Sequence, residues 1–192
     1  VETAAALIKN GGFSLGLQMM TGLFGEENTE KSALHTMDSF IALKPDTVRI
    51  YPALVVKNTL LAKWWQEGIY TPQTVEDATS LCAKLIVGFE NAKIKVIRVG
   101  LHADTELENN FLAGPYHPAF KQICESKIYF EKISTLLKTV QKGDVTLQIP
   151  KGETSTVAGQ KKCMLAEFKS MGYNINLQEN EKLTGRMINI MP

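Results

Sequence analysis

Three short stretches set large polar side chains among apolar ones, and they say what chemistry to look for. In LGLQMM (Leu15 to Met20), VRIYP (Val48 to Pro52) and IKVIRVGL (Ile94 to Leu101), apolar residues alternate with Gln18, Arg49, Tyr51, Arg98 and Gly100. Successive side chains of a strand point to opposite faces. Leu15, Leu17 and Met19 then oppose Gly16, Gln18 and Met20, and Val48 and Ile50 oppose Arg49 and Tyr51. In the third stretch Ile97, Val99 and Leu101 oppose Val96, Arg98, Gly100 and His102. Each strand has one face suited to a covering helix and one that needs a ligand, a partner charge or water, because unpaired buried charge is costly. An internal polar cluster, with Arg49 or Arg98 paired to a carboxylate from elsewhere in the sheet, is the bland alternative. Repetition on three strands favours a site, and ligands of parallel sheets sit beyond the carboxyl ends of the strands.

Further candidates lie downstream. His102, Tyr116 and His117 lie in a long segment with no helical or strand pattern (HADTELENNFLAGPYHPAF), which reads as a substrate-side loop or lid rather than an accident of length. Near the C-terminus, KGETSTVAGQKKCMLAEF brings Lys151, Lys161 and Lys162 to a glycine-bearing loop and a helix start. Such lysines suit the phosphates of RNA, although the GxxG of a KH module is not met and a solvated basic helix face is the simpler explanation. Trp64 and Trp65 read as packing residues. Cys82, Cys124 and Cys163 form no CxxC pair and no metal-ligand spacing, so no metal site is expected. Free thiols of this kind point to a reducing, cytoplasmic compartment.

The elements that must hold these groups follow from periodicity and punctuation. Helices are expected over Val1 to Asn10, Thr29 to Leu43, about Thr59 to Glu67, Val75 to Asn91 and Pro118 to Lys142. Strand, helix, strand, helix, strand is the order that builds a parallel sheet. After Gly143-Asp144 come a strand (VTLQIP), a helix (TVAGQKKCMLAEFKSMG) and two strands (YNINLQ and RMINIM), which predict a small α+β lobe. The expected domains are therefore 1–143 and 144–192.

A chain of 192 residues with 44% hydrophobic residues can bury a real core. Its net charge of +1 means that any nucleic-acid contact must come from a local patch. No apolar run is long enough to cross a bilayer, so no membrane partner is expected. The chain starts at Val1 inside what reads as a helix, which suggests a piece of a longer protein.

Taken in order, GLQMMTGLFGE, LKPDTVRIYPALVVKNTLLAKWWQEGIY and VIRVGLHAD with LAGPYHP resemble the radical S-adenosylmethionine family over about Phe13 to Ile133. The likeness is greatest to the radical core of the Elongator catalytic subunit, a tRNA wobble-uridine modifying enzyme, and to relatives labelled oxygen-independent coproporphyrinogen III oxidase-like. IYPALVVKNTLLAKWWQEGIY is the most specific stretch. The resemblance implies the second half of a partial (β/α)6 barrel, completed by a missing N-terminal half. It also implies S-adenosylmethionine and a [4Fe–4S] cluster in the full-length protein, with tRNA as the partner. Gln18, Arg49, Tyr51, Arg98 and Gly100 carry over as cofactor- or substrate-facing positions.

Phe24 stands where relatives often have Pro, and Asn58 where they often have Gly, an exchange Asn tolerates in left-handed geometry. The family's CxxxCxxC, whose thiolates hold the cluster, does not occur in this sequence, so the piece alone is expected to be inactive. The tail has neither the length nor the glycine pattern of an acetyltransferase. A porphyrinogen decarboxylase and a non-catalytic RNA- or protein-binding module are the rival expectations.

Overall fold

Caps and glycines set the element ends in the first part of the chain. A computed structural model describes residues 1–101 and 105–191. Helix α1 (Glu2–Asn10) leads to strand β1 (Gly16–Thr21) and helix α2 (Thr29–Leu43). Asn28 caps α2, its Oδ1 accepting from the Lys31 N–H at 2.8 Å, and Lys44 ends the helix in left-handed geometry just before Pro45. Strand β2 (Thr47–Pro52), the short β3 (Val55–Val56) and helix α3 (Leu60–Gln66) follow. Helix α4 (Val75–Asn91) begins at Thr74, whose Oγ1 accepts from the Asp77 N–H at 3.0 Å, with Glu76 and Asp77 set against the positive end of the helix dipole. Strand β4 (Lys95–Val99), helix α5 (Thr105–Asn110) and strand β5 (Phe111–Ala113) close this part.

Strands β1, β2 and β4 form a parallel sheet in that order, and α2 and α4 pack on it and on each other. Met19, Val48, Ile50 and Val99 are buried, as are Leu81, Cys82, Leu85, Ile86 and Phe89 of α4. Burying each such side chain contributes about 1.5–3 kcal/mol, which holds the helices to this face alone. Strand β5 pairs antiparallel with β3, and Val55, Ala62 and Tyr70 make a small core with Trp64 and Trp65 against it. The segment expected to be irregular after Leu101 is thus partly regular, since Phe111 to Ala113 finds a strand partner that local pattern does not reveal.

Compactness divides the chain into Val1–Lys121 and Gln122–Pro192, whereas the boundary read from the sequence lies near Gly143. Most of helix α6 (Phe120–Leu137) falls on the C-terminal side. Its Tyr129, Ile133 and Leu137 share a core with Val145, Leu147 and Ile149 of strand β6 (Gly143–Pro150). Helix α7 (Thr154–Ala158), a single 3-10 turn at Gln160–Lys162, helix α8 (Cys163–Ser170) and strands β7 (Tyr173–Asn180) and β8 (Asn189–Ile190) complete this unit. The order is β7-β6-β8, with β7 parallel and β8 antiparallel to β6. The single helix expected over TVAGQKKCMLAEFKSMG is corrected to two: Gly159, Lys161 and Lys162 all have positive φ, which an α-helix cannot continue through. The chain as described is a mixed α/β fold, and none of its described helices is long and apolar enough to cross a membrane.

Candidate functional site

Register brings the predicted polar residues of the parallel sheet together. Gln18 lies opposite Arg49, and Arg49 opposite Arg98, in one row across three strands. Directly opposed residues share a face and sit about 4.8 Å apart from strand to strand. Gln18, Arg49 and Arg98 are all exposed, while their strand neighbours Met19, Val48, Ile50 and Val99 are buried, so the row lies on the face turned away from α2 and α4. Tyr51 stands opposite Met20 on the same face and is half-buried.

One part of the alternation read from the sequence is corrected. Val48 pairs with Val96 but Arg49 pairs with Arg98, so Ile97 is an extra residue in β4, a β-bulge. Val96 therefore joins the helix-covered face with Val48, not the face of Arg98, and Ile97 is 40% exposed instead of buried. The bulge also moves Lys95 to the open face, opposite Thr47. Sequence alternation missed Lys95; the signal was the odd spacing of Val96 and Val99, which breaks a period of two.

This open face is electrostatically one-sided. It carries Lys95, Arg49 and Arg98, and no residue of β1, β2 or β4 is acidic. None of the three cations makes an ion pair among the described residues. Like charges directly opposite each other destabilise a sheet, so this arrangement suits the arrival of an anionic or hydrogen-bond-accepting group. The nearest acid in sequence is committed elsewhere: Asp46 Oδ2 accepts from the Leu15 N–H at 2.7 Å. That bond, with a second from Ser14, holds its carboxyl below the ordinary value while it pins the amino edge of β1.

Beyond the carboxyl end of β1, Gly22 takes φ +73° and its carbonyl accepts from Tyr70 Oη at 2.6 Å. Burial, helped by Glu26, raises the Tyr70 pKa and keeps that hydroxyl a donor. Phe24 packs against Trp64 in a tilted arrangement with ring centroids 4.3 Å apart, which accounts for a large aromatic in this turn. A pocket of about 200 Å³ opens here between Leu23, Phe24, Glu26, Ile69, Tyr70 and Gln73. Asn58 has φ 62°, the left-handed geometry expected of it.

The other candidates divide. Gly100 follows β4 with φ +76°, and a Cβ there would stand 2.9 Å from Phe120, so backbone and packing both demand glycine. Tyr116 Oη bonds Glu108 at 3.0 Å and its ring lies 5.3 Å from that of Phe111. His117 Nδ1 accepts from the Ala119 N–H at 3.0 Å, a local turn at the start of α6. His102 lies outside the described residues. Lys151 is tied to Glu181 at 2.6 Å, whereas Lys161 and Lys162 are exposed without an ion pair among the described residues. No described group of three His, Cys, Asp or Glu could hold a metal ion. Cys82 and Cys124 are buried in α4 and α6, and Cys163 is exposed in α8, so the thiols present do not fit an iron–sulfur cluster.

Residues 45–129 match the family model of the Radical_SAM C-terminal domain. Arg49, Tyr51, Arg98, Gly100, Tyr116 and His117 lie inside that stretch, and Gln18 and the three C-terminal lysines outside it. The chain is 34% identical over 88 residues to a tRNA uridine(34) acetyltransferase of Dehalococcoides mccartyi, covering 44% of this chain and 19% of that protein. Proteins of the same name from Methanocaldococcus jannaschii and Methanocaldococcus infernus are 32% and 30% identical over 79 and 76 residues. These alignments cover 41% and 39% of this chain and 15% and 14% of the relatives. The matched region thus spans less than a fifth of the length of each relative. Together the matches are in line with the resemblance read from the sequence: residues 45–129 are similar to the C-terminal domain of radical S-adenosylmethionine proteins, and under half of the chain is similar to proteins named tRNA uridine(34) acetyltransferase.

Proposed function

We propose that this chain is part of a radical S-adenosylmethionine enzyme that modifies the wobble uridine of tRNA, and that the open face of β1, β2 and β4 is turned toward S-adenosylmethionine. The row Gln18, Arg49, Arg98 carries the proposal. A three-stranded parallel sheet covered by helices on one side only, with cations on the other, is what half of a partial (β/α)6 barrel presents when its remaining strands are not in the chain. The donor set fits: guanidiniums and a side-chain amide recognise carboxylates and hydroxyls, and S-adenosylmethionine supplies both when bound. Arg49 and Arg98 would hold and orient the anionic end, with Gln18 at the edge of the row. The names of the relatives point to tRNA uridine as the substrate class and favour it over a porphyrinogen. No step is assigned to a cluster, because the thiols present do not fit one, and the isolated chain is expected to show no turnover.

Equilibrium dialysis of labelled S-adenosylmethionine against the full-length protein tests this. Arg49→Gln and Arg98→Gln should each weaken binding by about ten- to a hundredfold, as loss of a hydrogen bond to a charged group does. Unchanged affinity in both folded variants would remove the proposal.

A further inference from the structure

The net charge of +1 hides a segregation. The unit Gln122–Pro192 has ten Lys and Arg against seven Asp and Glu, whereas Val1–Lys121 has eleven against thirteen. Within the basic unit two cations have carboxylate partners, Lys151 with Glu181 and Arg186 with Glu125. Lys161, Lys162 and Lys169 are exposed and make no ion pair among the described residues. Lys162 immediately precedes α8 and Lys169 lies in its last turn.

The backbone singles out the first two. Lys161 (φ 51°, ψ 27°) and Lys162 (φ 60°, ψ 29°) are consecutive left-handed residues, a conformation that glycine or asparagine adopts more cheaply. Neither side chain is buried, so packing does not explain why lysine stands at both. The other left-handed lysines, Lys44 and Lys93, stand singly behind helices, whereas two in succession at exposed positions are a backbone outlier that is compatible with a functional role.

We infer that Lys161 and Lys162, extended by Lys169, form the RNA-backbone contact of this unit, and that Lys151 does not belong to it. That the polyanion is RNA rests on the proposed function; that the contact is these lysines rests on the charge segregation and the backbone. Two phosphate contacts release counterions, so the logarithm of affinity should fall with the logarithm of salt more steeply by about 1.4 to 1.8 than without them.

The test titrates the 192-residue chain with fluorescently labelled tRNA at several salt concentrations. Lys161→Asn with Lys162→Asn removes both charges while keeping a residue that tolerates the backbone, so the variant should fold; Lys161→Gly with Lys162→Gly is the second version. Both should flatten the salt slope by about one and a half units, and Lys151→Ala should leave it unchanged. Equal slopes for the double variants and the parent, or a flattening by Lys151→Ala as large as theirs, would overturn the assignment. So would the absence of salt-dependent tRNA binding by the parent chain. None of these outcomes bears on S-adenosylmethionine binding by Arg49 and Arg98, which tests the proposed function separately.

Discussion

The two three-stranded sheets among the described residues solve the same problem differently. Both have one apolar face under helices and one polar face. In the C-terminal unit the polar face closes on itself: Asn174 Nδ2 donates to Asp144 Oδ1 at 2.8 Å, and Asn180 Nδ2 to Gln148 Oε1 at 3.0 Å. In the N-terminal unit the corresponding face carries Arg49 opposite Arg98, with Lys95 on the same face opposite Thr47, and no acid on any of its strands. A face with such cross-strand bonds satisfies part of its polar demand by itself. The exposed cations of the first sheet make no ion pair among the described residues, and this difference favours the first sheet as the candidate site.

The comparison can be tested at three depths. The largest effect belongs to the closed unit, where Phe168 is fully buried and stacks on Phe130 at 4.7 Å. Phe168→Ala should cost about 3–5 kcal/mol. Urea unfolding should show that loss in the C-terminal unit, and a loss below about 1 kcal/mol would mean that its core is not the closed assembly described. The second effect has the opposite sign. Arg98→Gln removes one of two opposed guanidiniums, so the stability of the isolated chain should hold or rise, by at most about 1 kcal/mol. A clear loss would show that Arg98 already has a partner in this chain, and the contrast between the faces would fail.

The smallest effect concerns the edge of the first sheet. In the folded chain the Asp46 pKa is held below its ordinary 3.8, so its contribution is present above that value and is lost as pH falls through the lower, folded value. Asp46→Asn should therefore lower the Tm slightly at neutral pH, with the gap to the parent closing in acid below about pH 4. A gap that stays constant with pH would show that the carboxylate is not what pins Leu15. Glu179 makes the matching comparison in the other unit, since the Thr154 hydroxyl also holds its pKa low.

Much of the helical frame was legible because its signals are local. Thr29 to Leu43 and Val75 to Asn91 are found with the bounds expected, since Asn28 and Thr74 cap the first turns and Lys44-Pro45 stops α2. The row of Gln18, Arg49 and Arg98 was legible too, for alternation along each strand is also local. Three things were not. The bulge at Ile97 is a property of how β4 pairs with β2, and it exchanged the faces assigned to Lys95 and Val96. The strand at Phe111–Ala113 exists because Val55–Val56 is there to receive it. The break between α7 and α8 requires two lysines to take a conformation their propensity disfavours.

By itself, then, the sequence determined the order of the elements, which residues of β1 and β2 look away from the helices, and the likeness to a radical S-adenosylmethionine segment. Each depends on neighbours in the chain or on a matching string. Tertiary structure alone decided that three cations share the open face, that Lys151 is paired with Glu181 while Lys161 and Lys162 make no ion pair among the described residues, and that most of α6 belongs with the C-terminal core. The physical reason is the same in each case: register, ion pairing and burial are relations between residues distant in the chain, and no local propensity encodes them.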